Sequence, residues 1–203
     1  MNKIIRCLLT TVLCAVSLVC WSEASSPVPM LQDTSNHILA VLQQNKSKLA
    51  SNPSIIFNAV QQYMVPHVDV EGMSRSVLGR QAWTNASASD RNEFKQVFTQ
   101  LVIRTYASPL AEYSNETVQF APVRGPLSSQ FIRVNSTIVR PSARNIALSY
   151  SLINQGSQWK IYDLSVEGVS LLQSFHSQFA QVLQNSDMKA LIKEMRERAK
   201  AAA

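Results

Sequence analysis

Apolar residues recur along this chain with two periods, and the change from one to the other divides it. From Asn36, the residues Ile38, Val41, Leu42 and Leu49 share a helical face that Asn52-Pro53 closes. Residues 25–34, opening Ser-Ser-Pro-Val-Pro, read as a linker ahead of it. A second stripe, Ile55, Ile56, Ala59, Val60, Tyr63 and Met64, predicts a helix stopped near Pro66, and Val68 to Leu78 a third that Gly79 caps. Ser87 with Asp90 resembles a capping box and opens the strongest helical period: Phe94, Val97, Phe98, Leu101, Val102, Thr105 and Tyr106. Pro109 is expected to end or kink that helix.

After Tyr113 the period falls to two. Thr117 to Phe120, Phe131 to Val139 and Asn145 to Ile153 read as strands, the last with Ile146, Leu148, Tyr150 and Leu152 in unbroken alternation. Asn154-Gln155-Gly156-Ser157 turns the chain into a further strand from Trp159. Past Gly168 the helical period returns, with Val169, Leu172, Phe175, Phe179 and Val182 on one side. Asn185-Ser186-Asp187 breaks it, and a last helix carries Met188, Leu191, Ile192 and Met195. Helices, an antiparallel meander of about four strands, then helices make the fold class α+β. The stretch Trp159 to Ser170, a strand that becomes an amphipathic helix, predicts an apolar groove between sheet and helices.

Composition changes this picture at the N-terminus. Lys3 and Arg6 precede an apolar run from Cys7 to Cys20, and Ser22-Glu23-Ala24 offers small residues for cleavage, so residues 1–24 read as an export signal. The remaining 179 residues suit one domain, 25–203. All three cysteines lie in the signal, so the exported chain has no disulfide, thiolate metal site or cysteine nucleophile. Losing Lys3, Arg6 and Glu23 takes the net charge from +6 to +5. The cations are dispersed, which does not suit nucleic acid; near anionic lipid head groups such a charge would be attractive.

The acids, histidines and glycines do not assemble a familiar reaction centre. There is no G-x-S-x-G elbow, phosphate-binding glycine loop, dinucleotide fingerprint or H-E-x-x-H. His67 and Asp69 do not make a metal site without further ligands, and His37 and His176 lack ligand-type partners at helical spacing. Asp163 and Glu167, four apart at a corner, could do acid–base work, but holding backbone N–H groups is the preferred reading. No catalytic residue, metal or cofactor is expected.

Three segments carry a resemblance: Pro66 through Trp83, with its Val-Asp-Val-Glu-Gly-Met-Ser-Arg; Phe98 through Ala107; and Trp-Lys-Ile-Tyr-Asp-Leu-Ser-Val-Glu-Gly-Val-Ser from Trp159, continued through Gln178-Phe179-Ala180. Together they resemble the MlaC, or toluene-tolerance, family of periplasmic phospholipid-binding proteins, in order and spacing across essentially all of residues 25–203. Val70, Ser87-Ala88 and Pro109 depart from the family pattern. The resemblance implies a lipid cavity between sheet and helices, with phospholipid as cargo and no cofactor. It also implies a shuttle, expected as a monomer, between an outer-membrane lipoprotein–porin complex and an inner-membrane ABC transporter with an MCE-domain subunit. On that basis the facing stripes nominate Phe98, Val102, Tyr106, Leu148, Tyr150, Tyr162, Leu164, Val166, Val169 and Phe175 as tail-facing. The alternatives are an exported chaperone or interaction module that covers apolar protein segments, and a small exported hydrolase using Asp163 or His67 as base.

Overall fold

The computed structural model describes residues 25–113, 115–156 and 158–202. The proposed signal, with its cysteines, lies outside them. Helix α1 spans Val28–Gln44, so the expected linker is mostly helix. The prolines explain the early start: Pro27 caps the helix and Pro29 sits in its first turn, where amides have no intrahelical partner to lose. Leu31, 1% exposed, pins that turn beneath the sheet, and the Trp159 indole N–H donates to the Ser25 carbonyl at 2.6 Å.

Helix α2 is Ser54–Tyr63, followed by a 3-10 turn at Val65–His67. Asp69 caps α3, Val70–Asn85, by accepting from the Gly72 amide at 3.0 Å. Gly79 interrupts α3 with φ 74° and ψ 163°, but the chain resumes as helix beyond it, so Gly79 is a break and not the expected end. The His176 ring approaches this break, its Nδ1 3.0 Å from the Val77 carbonyl oxygen. Ser87 caps α4, Ala88–Ala111, accepting from the Asp90 amide and donating to its carboxylate. The backbone stays helical through Pro109, and Glu112 ends the helix.

Five antiparallel strands come next in the order β1 Thr117–Phe120, β2 Phe131–Val139, β3 Ile146–Gln155, β4 Gln158–Val166 and β5 Val169–Ser170. The two-residue β5 is too short to show as alternation, and it takes Val169 out of the helix predicted there. Helix α5, Leu171–Leu183, begins after Ser170, and α6 is Met188–Ala201, capped by Asp187. The register of β3 with β4 shifts at a bulge: Leu152 pairs with Ile161 and Ser151 with Asp163, which leaves Tyr162 opposite no residue. The parity of β4 therefore changes. Trp159 and Ile161 face the helices before the bulge, and Leu164 and Val166 face them after it, beside Tyr150 and Leu148.

Three apolar clusters share the interior. In the first, Phe98 stacks on Phe94 at 5.6 Å and meets Phe175 edge-on at 5.3 Å, with Leu191 and Met195 of α6 beside them. The second lies between the sheet and α1, and includes Val134, Tyr150 and Leu152. The third joins α1, α2 and the end of α4 through Leu42, Leu49 and Ile56. The result is an α+β fold with an apolar cavity between sheet and helices. Among the described residues no helix is long and apolar enough to cross a membrane.

Candidate functional site

The cavity lies where the three clusters meet. The end of α2 and the turn after it contribute Val60, Met64 and Val65, and the start of α3 contributes Val70 and Met73. Phe98, Thr99, Val102 and Ile103 of α4 form the opposite side, Tyr150, Ile161 and Leu164 of the sheet the floor, and Leu171 opens α5 at its end. These residues carry almost no polar atoms, so the site can hold hydrocarbon and offers little to a reacting bond. Its volume here is about 90 Å³.

The wall formed by α2 and its turn is tied to β4 at only a few points. Val68 makes a parallel bridge to Ile161, the Asp69 amide donates to the Ile161 carbonyl at 2.8 Å, and the Lys160 ammonium donates to the Pro66 carbonyl at 2.6 Å. His67 sits in this turn with its pKa lowered, first by burial and then by the Lys160 charge, with Asp33 partly offsetting both. At the floor, burial pushes the Tyr150 phenol up, partly offset by the Ser136 and Ser35 hydroxyls beside it. Ser136 Oγ itself is buried and off the geometry of a proper hydrogen bond.

The acids considered for catalysis are occupied elsewhere. Asp163 accepts from the Ser170 hydroxyl at 2.7 Å and from the Leu172 amide at 3.1 Å, which fixes the start of α5. Glu167, at φ 50°, accepts from the Ala147 amide and from Arg144 across the β3–β4 ladder. The two carboxylates thus serve different partners and do not form a pair. Asp69 accepts from the Gly72 amide and from the Gln155 side-chain amide. No cluster of three His, Cys, Asp or Glu suited to a metal occurs among the described residues.

A family model described as MlaC protein matches residues 32–197, most of the chain. The chain belongs to the MlaC family. It is 27% identical over 178 residues to the intermembrane phospholipid transport system binding protein MlaC of Haemophilus influenzae, covering 86% of this chain and 83% of that protein. A toluene tolerance protein of Pseudomonas putida is 28% identical over 168 residues, or 80% and 75% of the two chains. Among solved structures, a phospholipid-binding protein from Ralstonia solanacearum in complex with a phospholipid superposes with a TM-score of 0.80 at 25% identity. That match covers 88% of this chain and 99% of the other.

In this MlaC-family chain, four of the ten nominated residues line the cavity: Phe98, Val102, Tyr150 and Leu164. Phe175 lies behind Phe98 in the first cluster. Leu148 and Val166 pair on the helix-facing side of the sheet but beyond the lining. The other three lie away from this cavity. Tyr106 comes one turn after Val102, but α4, about 36 Å long at ~1.5 Å per residue, runs past the cavity and leaves Tyr106 37% exposed. Val169 is in β5 and 60% exposed, because the helix starts only after Ser170. Tyr162 is turned to the outer side of the sheet by the bulge, where it packs edge-on against Phe131.

The wall from Val60 to Met73 is absent from the ten. Its stripe is helical, as periodicity predicts, but periodicity does not say which neighbour a stripe will face. Ile161 has a usable signal: apolar residues sit at odd numbers through Ile161 and at even ones from Leu164, and such a change of parity inside one strand marks a bulge.

Proposed function

We propose that this protein binds the acyl chains of a phospholipid in the cavity between α2, α4 and the sheet. It then carries the lipid through the aqueous compartment between two membranes. The observation behind this reading is the almost wholly apolar lining at the junction of three clusters, in a chain whose relatives include proteins named for phospholipid binding and transport. Two acyl tails contain roughly 30 methylenes, and hiding them from water at ~0.8 kcal/mol each is worth about 24 kcal/mol before the costs of binding. A free energy of that size makes release into water very slow, so unloading requires docking, tail passing from one apolar cavity to another.

A cavity of about 90 Å³ is smaller than the ~150 Å³ that accommodates one benzene. Loading therefore needs the α2 wall to part from α4 and β4, and its sparse ties through Val68, Asp69 and Lys160 make it the wall that moves. Glycerol and phosphate stay at the mouth, in water. In the compartment the export signal implies, the periplasm, the carrier would serve the outer-membrane lipoprotein–porin complex and the inner-membrane transporter with its MCE-domain subunit. Extraction of the purified protein with organic solvent, followed by mass spectrometry, tests the cargo. Near-stoichiometric phospholipid is expected. Protein free of lipid that instead retains unfolded peptides would replace this reading with the chaperone.

A further inference from the structure

The sheet's outer face carries a patch that is both apolar and basic. Phe131, Ile153 and Lys160 stand side by side across β2, β3 and β4. Arg133 and Ser151 form the next row, where the bulge turns Tyr162 onto Phe131 with ring centroids 5.6 Å apart at 81°. Phe131 is 53% exposed, and Phe131, Ile153 and Tyr162 belong to none of the three core clusters. An edge-to-face contact is modestly favourable between aromatic rings, so the two rings favour one another's company on the outer face.

The charge beside the rings is mainly positive. Arg133 is exposed and takes part in none of the ion pairs of the described residues. Lys160 donates to a neutral carbonyl, that of Pro66, so its charge is not cancelled there. Asp163, across Ser151 from Arg133, is the one acid in these rows of the sheet, and its oxygens are turned to Ser170 and Leu172 at the start of α5. An exposed Phe131 ring and a half-buried Tyr162 with a polar tip, flanked by long cationic side chains, form a surface suited to the head-group level of a bilayer.

We propose that the outer face of the sheet around Phe131 and Tyr162 docks on an anionic phospholipid surface. The two rings enter the head-group layer, and Arg133 and Lys160 meet the phosphates. Because Lys160 also holds the Pro66 carbonyl, this contact sets the Val65–Val68 wall of the cavity beside the bilayer. The docking itself does not depend on the cavity's cargo. A chain that binds vesicles yet yields no phospholipid on extraction would leave this proposal standing and sink the carrier reading.

The test is sedimentation of the processed full-length product with vesicles of phosphatidylglycerol and phosphatidylethanolamine, and with vesicles of phosphatidylcholine alone. At low salt the protein should sediment with the first and not with the second, and high salt should release it. Arg133→Gln should weaken the partitioning about fivefold, the effect of one basic residue at such a surface, and Phe131→Ser should weaken it further. Both side chains are exposed, so folding is not at stake, and circular dichroism melting checks that it is kept. Failure of the wild type to sediment with the anionic vesicles, folded variants that bind like wild type, or attachment only to a membrane protein would each overturn the proposal.

Discussion

Leu164→Trp and Tyr162→Trp, two positions apart on one strand, should behave as opposites. Leu164 lines the cavity, and Tyr162 lies on the other face because of the bulge. A cavity of about 90 Å³ is smaller than the ~150 Å³ cavity that binds one benzene, and an indole is larger than benzene, so tryptophan at 164 occupies the space and presses on Phe98 and Val102. Overpacking of this kind costs about 1–3 kcal/mol of stability. The melting temperature should fall by roughly 2–4 °C per kcal/mol in a domain of this size, with the protein still folded. The indole also excludes roughly five carbons more than leucine does. At ~0.8 kcal/mol per methylene that is about 4 kcal/mol of tail burial, or roughly a thousandfold in affinity. The assay is phospholipid per protein after solvent extraction, read by mass spectrometry on variants shown to be folded by circular dichroism. Leu164→Trp should come out depleted and Tyr162→Trp unchanged. A folded Leu164→Trp with wild-type phospholipid content, or equal loss in both variants, refutes the assignment of this cavity.

Other substitutions probe the supports. Asp163→Ala removes the acceptor of the Leu172 amide and the Ser170 hydroxyl; loss of such a cap should cost about 0.5–2 kcal/mol in urea unfolding. Gly79→Ala forces a side chain to φ 74°, with its Cβ 3.4 Å from the His176 ring, and should destabilise by roughly 1–3 kcal/mol in the same measurement. His67 has a folded pKa below its ordinary 6.5, so the unfolded chain takes up the proton first. The stability contribution of the neutral ring is present above pH 6.5 and is lost as pH falls from there through the folded value. Unfolding free energy measured against pH should therefore decline in that window, and His67→Gln should flatten the decline.

Much of the fold is legible in the pattern, and the reasons for the exceptions are physical. β2 runs Phe131–Val139 as alternation predicts, because Ile132 and Val134 are buried while Arg133 and Asn135 stay wet. The start of α1 is hidden by Pro27 and Pro29, which read as linker residues but are compatible with a first helical turn. Gly79 signals a positive φ without saying whether the helix ends or resumes, and where it resumes α3 is packed on α5, a tertiary neighbour that the local pattern does not name. Phe98, Val102, Tyr150 and Leu164 are accessible as site candidates because each lies in a periodic stripe. Their opposite wall is not, since Val60 of α2 and Met64 and Val68 at the two ends of the 3-10 turn belong to short segments whose placement is tertiary.

The bulge at Tyr162 has a consequence for chain length. On either side of it the partners run in unbroken order, Ile161 with Leu152 and Asp163 with Ser151. Excising Tyr162 would therefore join two ladders that already match, and every other residue of β4 would keep its face. Removing Asp163 would keep the same alternation but take away the acceptor at the start of α5, and a change further along β4 would carry Leu164 or Ile161 out of the interior. Tyr162 is thus the position in β4 where a deletion costs least, and what would be lost there is the partner of Phe131 and not the architecture.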